Sequence, residues 1–139
     1  MRRHHLGVQV VVIALGGVLG ALARFGIDSV VPLGPEQWPW PTLAINLVGS
    51  AVLAVLLVSR WVPLRHPLAV LGIGTGALGG FTTFSTYAVQ TDRLLATGHL
   101  AMAATYVGVT LAGAIGAVHL IRRLTPPDPS DRVASRSTP

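Results

Sequence analysis

Residues 76–90 hold the side chains of this sequence that are best suited to contact an ion. The stretch reads GALGGFTTFSTYAVQ and places four hydroxyl side chains within residues 82–86. Its aromatic residues, Phe81, Phe84 and Tyr87, recur at every third position and therefore stay near one helix face. Because ring edges are electropositive, they could meet a small anion together with hydroxyl donors and without a full positive charge. Ordinary core packing is the alternative interpretation of such an aromatic stripe.

The glycines of the same region predict a weak point in a helix. Gly72, Gly76 and Gly80 repeat at every fourth position, which is typical of close contact between membrane helices. The adjacent Gly79 and Gly80 predict that the helix breaks near them, although a kinked but continuous helix remains the alternative. A break inside a membrane frees backbone carbonyls, and such oxygens can coordinate a hard cation such as Na⁺.

Polar residues on two other segments also follow helical spacing. Thr42, Asn46 and Ser50 lie at i, i+4 and i+8, and Tyr106 and Thr110 lie at i and i+4. Each set could either form hydrogen bonds between helices or line an aqueous path. A threonine could also donate to the carbonyl one turn back in its own helix. The spacing alone leaves these interpretations open.

The composition places these residues in a membrane. Hydrophobic residues make up 51% and charged residues 11% of the chain, and the mean hydropathy is +0.63, whereas soluble domains carry about 25% charged residues. Four apolar segments, at about 6–25, 41–59, 67–89 and 99–121, approach the ~20 residues that a spanning helix needs. We therefore expect an all-α membrane domain over residues 1–124 and a disordered Pro/Ser-rich tail over residues 125–139.

The charges predict topology rather than nucleic-acid binding. The ten arginines lie mainly at the ends of apolar runs, and four spans would put both termini on one side. That side would carry Arg2, Arg3, Arg60, Arg65, Arg122 and Arg123. The positive-inside rule then predicts cytoplasmic termini. The N-terminal segment also has features of a signal peptide, but its apolar run is longer than the usual 7–15 residues.

The acidic residues argue against coupled transport, because none of the five falls in the middle of a predicted span. A small proton-coupled exporter would need a carboxylate within the membrane. The chain also has no P-loop and no cysteine, which excludes a thiolate metal site and a disulfide framework. We expect no enzymatic activity.

Three motifs give the sequence a family resemblance. GGFTTFSTY, with AINLVGS upstream and GGVLGALARF near the N-terminus, resembles the small bacterial fluoride channels of the Fluc or CrcB type, over about residues 10–120. The resemblance implies a fluoride-specific channel of the cell membrane that exports fluoride passively. It also implies an antiparallel, dual-topology dimer of four-helix subunits. The third helix of each subunit would be broken mid-membrane, and a structural Na⁺ would lie at the dimer centre.

The resemblance assigns the residues around the broken helix. Gly79 and Thr82 match the positions whose backbone carbonyls hold the Na⁺. Phe84 matches the first aromatic of a fluoride-coordinating pair, and Tyr87 matches the second, where the family usually has Phe.

Other segments contribute further positions by the same resemblance. Asn46 matches the pore asparagine, Ser85 lies between the two aromatics, and Tyr106 and Thr110 match a polar track on the fourth helix. Arg24 matches an arginine at the end of the first helix, where it would either snorkel to the membrane surface or serve as a structural or vestibule donor.

Two departures from the family pattern support an alternative function. Tyr87 adds a hydroxyl to the path, and Ala114 lacks a hydroxyl often found one turn after Thr110. The arginine bias also predicts a single orientation in the membrane. The chain could therefore be one subunit of a heterodimeric channel that needs an oppositely oriented paralogue. A small proton-coupled exporter is the less favoured alternative.

Overall fold

The structure, a computed structural model, describes residues 2–34, 36–58 and 66–125, and every element in those ranges is helical. The helix α1 spans Arg2–Val30 and α2 spans Trp40–Val58. A third segment consists of α3 (Pro67–Ala69), a π-helix π1 (Val70–Leu78), α4 (Gly79–Phe81) and α5 (Phe84–Ala96). The last helix, α6, spans Leu100–Leu124.

Four of these segments are long and apolar enough to cross a membrane: Leu6–Val30, Trp40–Val58, Pro67–Ala96 and Leu100–Leu124. The predicted all-α membrane fold with four spans is thus confirmed. The first span continues beyond the expected residue 25 because the next proline is Pro32. The third continues beyond residue 89 as far as the turn at Gly98, whose φ is 81°. The predicted tail lies outside the described residues from residue 126 onwards.

The first helix packs against the third segment through glycines. A Cβ at Gly16 would meet the Gly72 carbonyl, one at Gly20 the Ala77 carbonyl, and one at Gly80 the Gly17 carbonyl. The backbones of α1, π1 and α4 are therefore in direct contact. The predicted face of small residues exists, and it holds the first half of the third segment in place.

Helices α2, α5 and α6 form the second half of the subunit. Their core consists of Leu43, Leu94, Ala103 and Tyr106, with Trp38, Leu47, Tyr87 and Met102 packed around it. At the same interface between α2 and α6, Leu47 Cδ2 lies 2.6 Å from the position that a Cβ of Gly113 would occupy. The side chain of Leu47 on α2 therefore occupies the space beside Gly113 on α6.

The third segment is broken at Thr82 and Thr83, which confirms the predicted break but places it after the glycine pair. Gly79 has φ −63° and ψ −35° and begins α4, so it stays helical. Thr82 has a ψ of 155° and Thr83 a φ of −145°, both extended. Gly80 stays in the helix because its backbone packs on α1, whereas Thr83 can leave it because its side chain caps α5.

Candidate functional site

Asn46 is hydrogen-bonded to the backbone of the break on both sides of its amide. Its Nδ2 donates to the carbonyl of Thr83 at 3.1 Å, and its Oδ1 accepts from the amide of Thr83 at 3.0 Å. The side chain thus replaces both backbone partners that Thr83 would have in a continuous helix. Asn46 therefore stabilises the extended conformation on which the site is built.

Thr83 organises the hydroxyl cluster that follows the break. Its Oγ1 accepts from the amide of Thr86 at 3.1 Å and so caps α5. The same oxygen donates to Thr86 Oγ1 at 3.1 Å and lies 3.3 Å from Ser85 Oγ. Thr83 is buried, whereas Ser85 is exposed. The three hydroxyls form a connected set whose exposed member is Ser85.

Three further hydroxyls, on α2, on α6 and at the break, donate to a carbonyl four residues earlier in the chain. Ser50 Oγ donates to the Asn46 carbonyl at 2.8 Å, and Thr110 Oγ1 donates to the Tyr106 carbonyl at 2.7 Å. Thr82 Oγ1 donates to the Leu78 carbonyl at 2.8 Å. Each retains acceptor capacity, but its proton is directed at a carbonyl one turn back. None of these hydroxyls forms a hydrogen bond to another helix in the described part of the chain.

A groove of about 330 Å³ runs between α2, the break, α5 and α6. We call it the central groove; it is lined by Asn46, Gly49, Ser50, Leu53, Leu78, Thr82, Thr83, Phe84, Tyr87, Thr110, Leu111 and Ala114. Four of the six predicted fluoride-path residues therefore meet on one surface. Ser85 and Tyr106 are not part of that lining. None of the described residues in that lining carries a carboxylate or a basic side chain.

The aromatic residues form a chain of rings from the groove into the core. The ring centroids of Phe84 and Tyr87 are 5.8 Å apart, and those of Tyr87 and Tyr106 are 5.2 Å apart. Phe84 is 79% exposed in the isolated subunit, whereas Tyr106 is fully buried behind Tyr87. The exposed ring of Phe84 and the half-buried ring of Tyr87 are thus the pair that can contact a ligand.

Gln90 lies next to the site, and the sequence analysis did not single it out. Its Oε1 accepts a hydrogen bond from the Tyr106 hydroxyl at 3.0 Å. This bond connects α5 to α6 next to the ring of Tyr87. The available signal was its position, since Gln90 follows Tyr87 by three residues and so lies on the same helix face. A polar side chain inside a span is itself a functional indication.

Arg24 on α1 contacts the backbone just before the break. Its Nε donates to the carbonyl of Gly80 at 3.3 Å, and its NH1 lies 4.0 Å from Asp28 Oδ2. The guanidinium therefore satisfies one carbonyl just before the break, as the structural alternative for this residue predicts. Arg24 does not line the central groove.

The backbone around Gly79 suits a cation held by carbonyl oxygens. The amide of Thr83 donates to Asn46, so it is drawn away from the Gly79 carbonyl, its usual partner in a helix. Apart from its own helix, no described residue has an atom within 4 Å of the Cβ position of Gly79, so this face is open in the described part of the chain. The described residues contain no cluster of three or more His, Asp or Glu side chains that could hold a metal. Backbone carbonyl oxygens such as those of Gly79 and Thr82 are a chemical type that can coordinate Na⁺.

Residues 11–121 match the protein family described as "CrcB-like protein, Camphor Resistance (CrcB)". The chain belongs to the CrcB family. The matched range contains the central groove, the break and most of each span. The resemblance found in the sequence motifs is therefore confirmed, and the chain is a multi-pass membrane protein.

Relatives within the CrcB family carry functional names. The chain is 41% identical over 111 residues to "Fluoride-specific ion channel FluC 1" of Mycobacterium bovis, covering 76% of this chain and 80% of the relative. It is 44% identical over 112 residues to "Fluoride-specific ion channel FluC 1" of Streptomyces coelicolor, covering 80% of this chain and 73% of the relative. It is 43% identical over 111 residues to "Fluoride-specific ion channel FluC 2" of Streptomyces avermitilis, covering 78% and 69%.

Proposed function

We propose that this CrcB-family chain is a subunit of a fluoride-specific channel in the cell membrane. Its relatives are named as fluoride-specific ion channels. The observation that carries the proposal is the central groove, where the rings of Phe84 and Tyr87 lie beside hydroxyl-bearing side chains and no described lining residue is ionised. Such a surface suits a small, strongly hydrated anion. It can replace part of the hydration shell without binding the ion too tightly to release it.

The membrane potential acts on the charge of the fluoride ion and sets the direction of its flow, so export needs no coupled ion. Hydrogen fluoride is neutral, crosses the bilayer and dissociates in the more alkaline cytoplasm. An inside-negative potential then favours exit of the anion by about 2.3 kcal/mol per 100 mV. A passive path therefore lowers cytoplasmic fluoride and relieves its toxicity, and no catalytic step is needed.

We infer that the working unit is an antiparallel dimer. The central groove is open on one side, and Phe84 is 79% exposed although it flanks the most polar part of the span. Gly79 likewise has open space at its Cβ position. A second subunit would cover these surfaces, and an antiparallel partner would place two breaks at the same membrane depth.

A structural Na⁺ at this dimer centre would be held by the carbonyls of Gly79 and Thr82 from each subunit. It would supply a fixed positive charge that stabilises the paired breaks. We expect that replacing Na⁺ by N-methyl-D-glucamine during purification and assay lowers both the melting temperature of the dimer and the fluoride flux. Returning Na⁺ should restore both. Equal melting temperatures in the two cations would argue against the Na⁺ site.

One observation favours a heterodimer over a homodimer. On the side opposite the termini only Arg24 and Arg93 are expected, and Arg24 donates to the Gly80 carbonyl instead of lying in a loop. The positive charge is therefore even more one-sided than the sequence count indicates. A chain with such a bias would insert with its termini in the cytoplasm and would need an oppositely oriented paralogue.

Fluoride efflux from liposomes tests the function. Purified protein should release fluoride and not chloride from loaded vesicles, either alone or with a co-expressed paralogue. Flux from the chain alone would exclude the obligate heterodimer. Flux that requires a pH gradient would favour the proton-coupled exporter. Absence of fluoride flux from folded protein, with and without the partner, would contradict the channel.

Phe84→Ile should reduce fluoride flux by at least about tenfold, which corresponds to about 1.4 kcal/mol in the barrier. Isoleucine keeps an apolar side chain but has no electropositive ring edge. Phe25→Ile is the matched control, because Phe25 is 69% exposed and does not line the groove. Both variants should form the same dimer in size-exclusion chromatography. Equal flux from the two variants would remove Phe84 from the path.

A further inference from the structure

A second cavity adjoins the central groove on the membrane side where the termini lie. Its volume is about 320 Å³, and its lining consists of Ser50, Ala114, Ile115, Val118, His119 and Arg122. We call it the basic pocket. It shares Ser50 and Ala114 with the central groove, so the two cavities meet at these residues. The surface that holds the aromatic pair thus continues to a basic end.

The helical period of α6 explains this continuity. Thr110, Ala114, Val118 and Arg122 recur at every fourth position and lie on one stripe of the helix. The stripe begins in the central groove and ends in the basic pocket at an exposed guanidinium. His119, which also lines the pocket, adds a ring nitrogen that can donate a hydrogen bond.

We propose that Arg122, with His119 beside it, forms an anion-collecting mouth for the central groove. This inference rests on the proposed channel function. None of the described residues that line the two cavities is a carboxylate, so no described acidic side chain pairs with Arg122 there. A basic group at the entrance of an apolar-walled cleft raises the local concentration of anions. The described lining of the central groove carries no full charge. The anion would therefore be attracted by Arg122 at the mouth and would make only weak contacts farther along the groove.

Stabilisation of the end of α6 is the competing role for Arg122. A basic residue in the last turn interacts favourably with the helix dipole, and both Arg122 and Arg123 lie in that turn. Arg123 is exposed as well but does not line the basic pocket. Arg123→Gln is therefore a matched control that removes the same charge from the same helix end.

The test compares fluoride efflux at about 0.01 M and about 0.3 M ionic strength, with sucrose as osmotic balance. The Debye length is about 30 Å at the lower value and well under 10 Å at the higher value. Arg122→Gln should lose about threefold to tenfold of the flux at low ionic strength and little at high ionic strength. Arg122→Lys should retain most of the flux at both ionic strengths, and Arg123→Gln should lose clearly less flux than Arg122→Gln at low ionic strength, because Arg123 does not line the pocket.

Equal flux from Arg122→Gln and Arg123→Gln at low ionic strength would overturn the inference and leave the channel function intact. A loss in Arg122→Gln that persists unchanged at high ionic strength would also overturn it, because a screened charge cannot cause that loss. Wild-type protein without flux, alone and with a paralogue, would overturn the channel function and this inference together.

Discussion

Asn46→Leu is expected to abolish fluoride flux and to lower the free energy of unfolding by about 2–6 kcal/mol. Both polar groups of the amide bond the backbone of Thr83, at 3.0 and 3.1 Å. Leucine would leave a donor and an acceptor of the break unsatisfied within the membrane, at about 1–3 kcal/mol each. Thermal unfolding in detergent and liposome efflux measure the two effects.

The matched control is Thr105→Ala, which removes an exposed hydroxyl that only donates to the Ala101 carbonyl one turn back. Its loss should change stability by less than about 0.5 kcal/mol. If both variants melt alike, Asn46 does not stabilise the break.

Asn46→Asp separates the two bonds of the amide. A protonated carboxyl offers one donor and one acceptor, whereas a carboxylate only accepts. This variant should therefore be closer to wild-type stability at pH 5 than at pH 8. The opposite pH dependence would mean that the Thr83 carbonyl does not need a donor from position 46.

The polar stripe on α2 shows how far spacing alone can predict a role. Thr42, Asn46 and Ser50 were correctly placed on one face, yet their roles differ in the structure. Thr42 is buried, Ser50 donates to its own helix, and Asn46 bonds the backbone of the break. The helical period determines which face a side chain lies on, but its hydrogen-bond partner depends on the segment packed against that face. The extended backbone of Thr83 could not be inferred from α2.

The position of the break was predicted to within a few residues for a related reason. Two adjacent glycines weaken an isolated helix, so Gly79 and Gly80 were the natural candidates. In the folded chain Gly80 packs on the backbone of Gly17, and this contact keeps it helical. The break moves to Thr82 and Thr83, where the cap and Asn46 satisfy the backbone. Tertiary contacts outweigh local propensity here.

The π-helical winding of Val70–Leu78 had no signal in the sequence. Residue type alone gave the alternatives for Arg24, and its hydrogen bond to the Gly80 carbonyl is compatible with the structural one. The ring pair of Phe84 and Tyr87 was also correctly expected to share a face, with centroids 5.8 Å apart. The assignment of these rings to fluoride remains a prediction.

Gly20→Ala should greatly reduce the yield of folded protein, with a loss of about 1–3 kcal/mol or more. A Cβ at this position would lie 2.8 Å from the Ala77 carbonyl carbon and 2.8 Å from the Phe81 amide nitrogen, and closer still to the Ala77 carbonyl oxygen. These are backbone atoms, so α1 would have to move away from π1 and α4. Because lipid surrounds both helices, close packing is a main source of their association.

Gly26→Ala is the control on the same helix, because nothing in the described chain lies within 4 Å of its Cβ position. Alanine is a better helix former than glycine by about 0.5–1 kcal/mol, so this variant should be neutral or slightly more stable. The monodisperse fraction in size-exclusion chromatography and the melting temperature in detergent compare the two. If Gly20→Ala is as stable as Gly26→Ala, the packing of α1 does not depend on backbone contact with the third segment. The claim that α1 helps to hold the third segment in place would then be wrong.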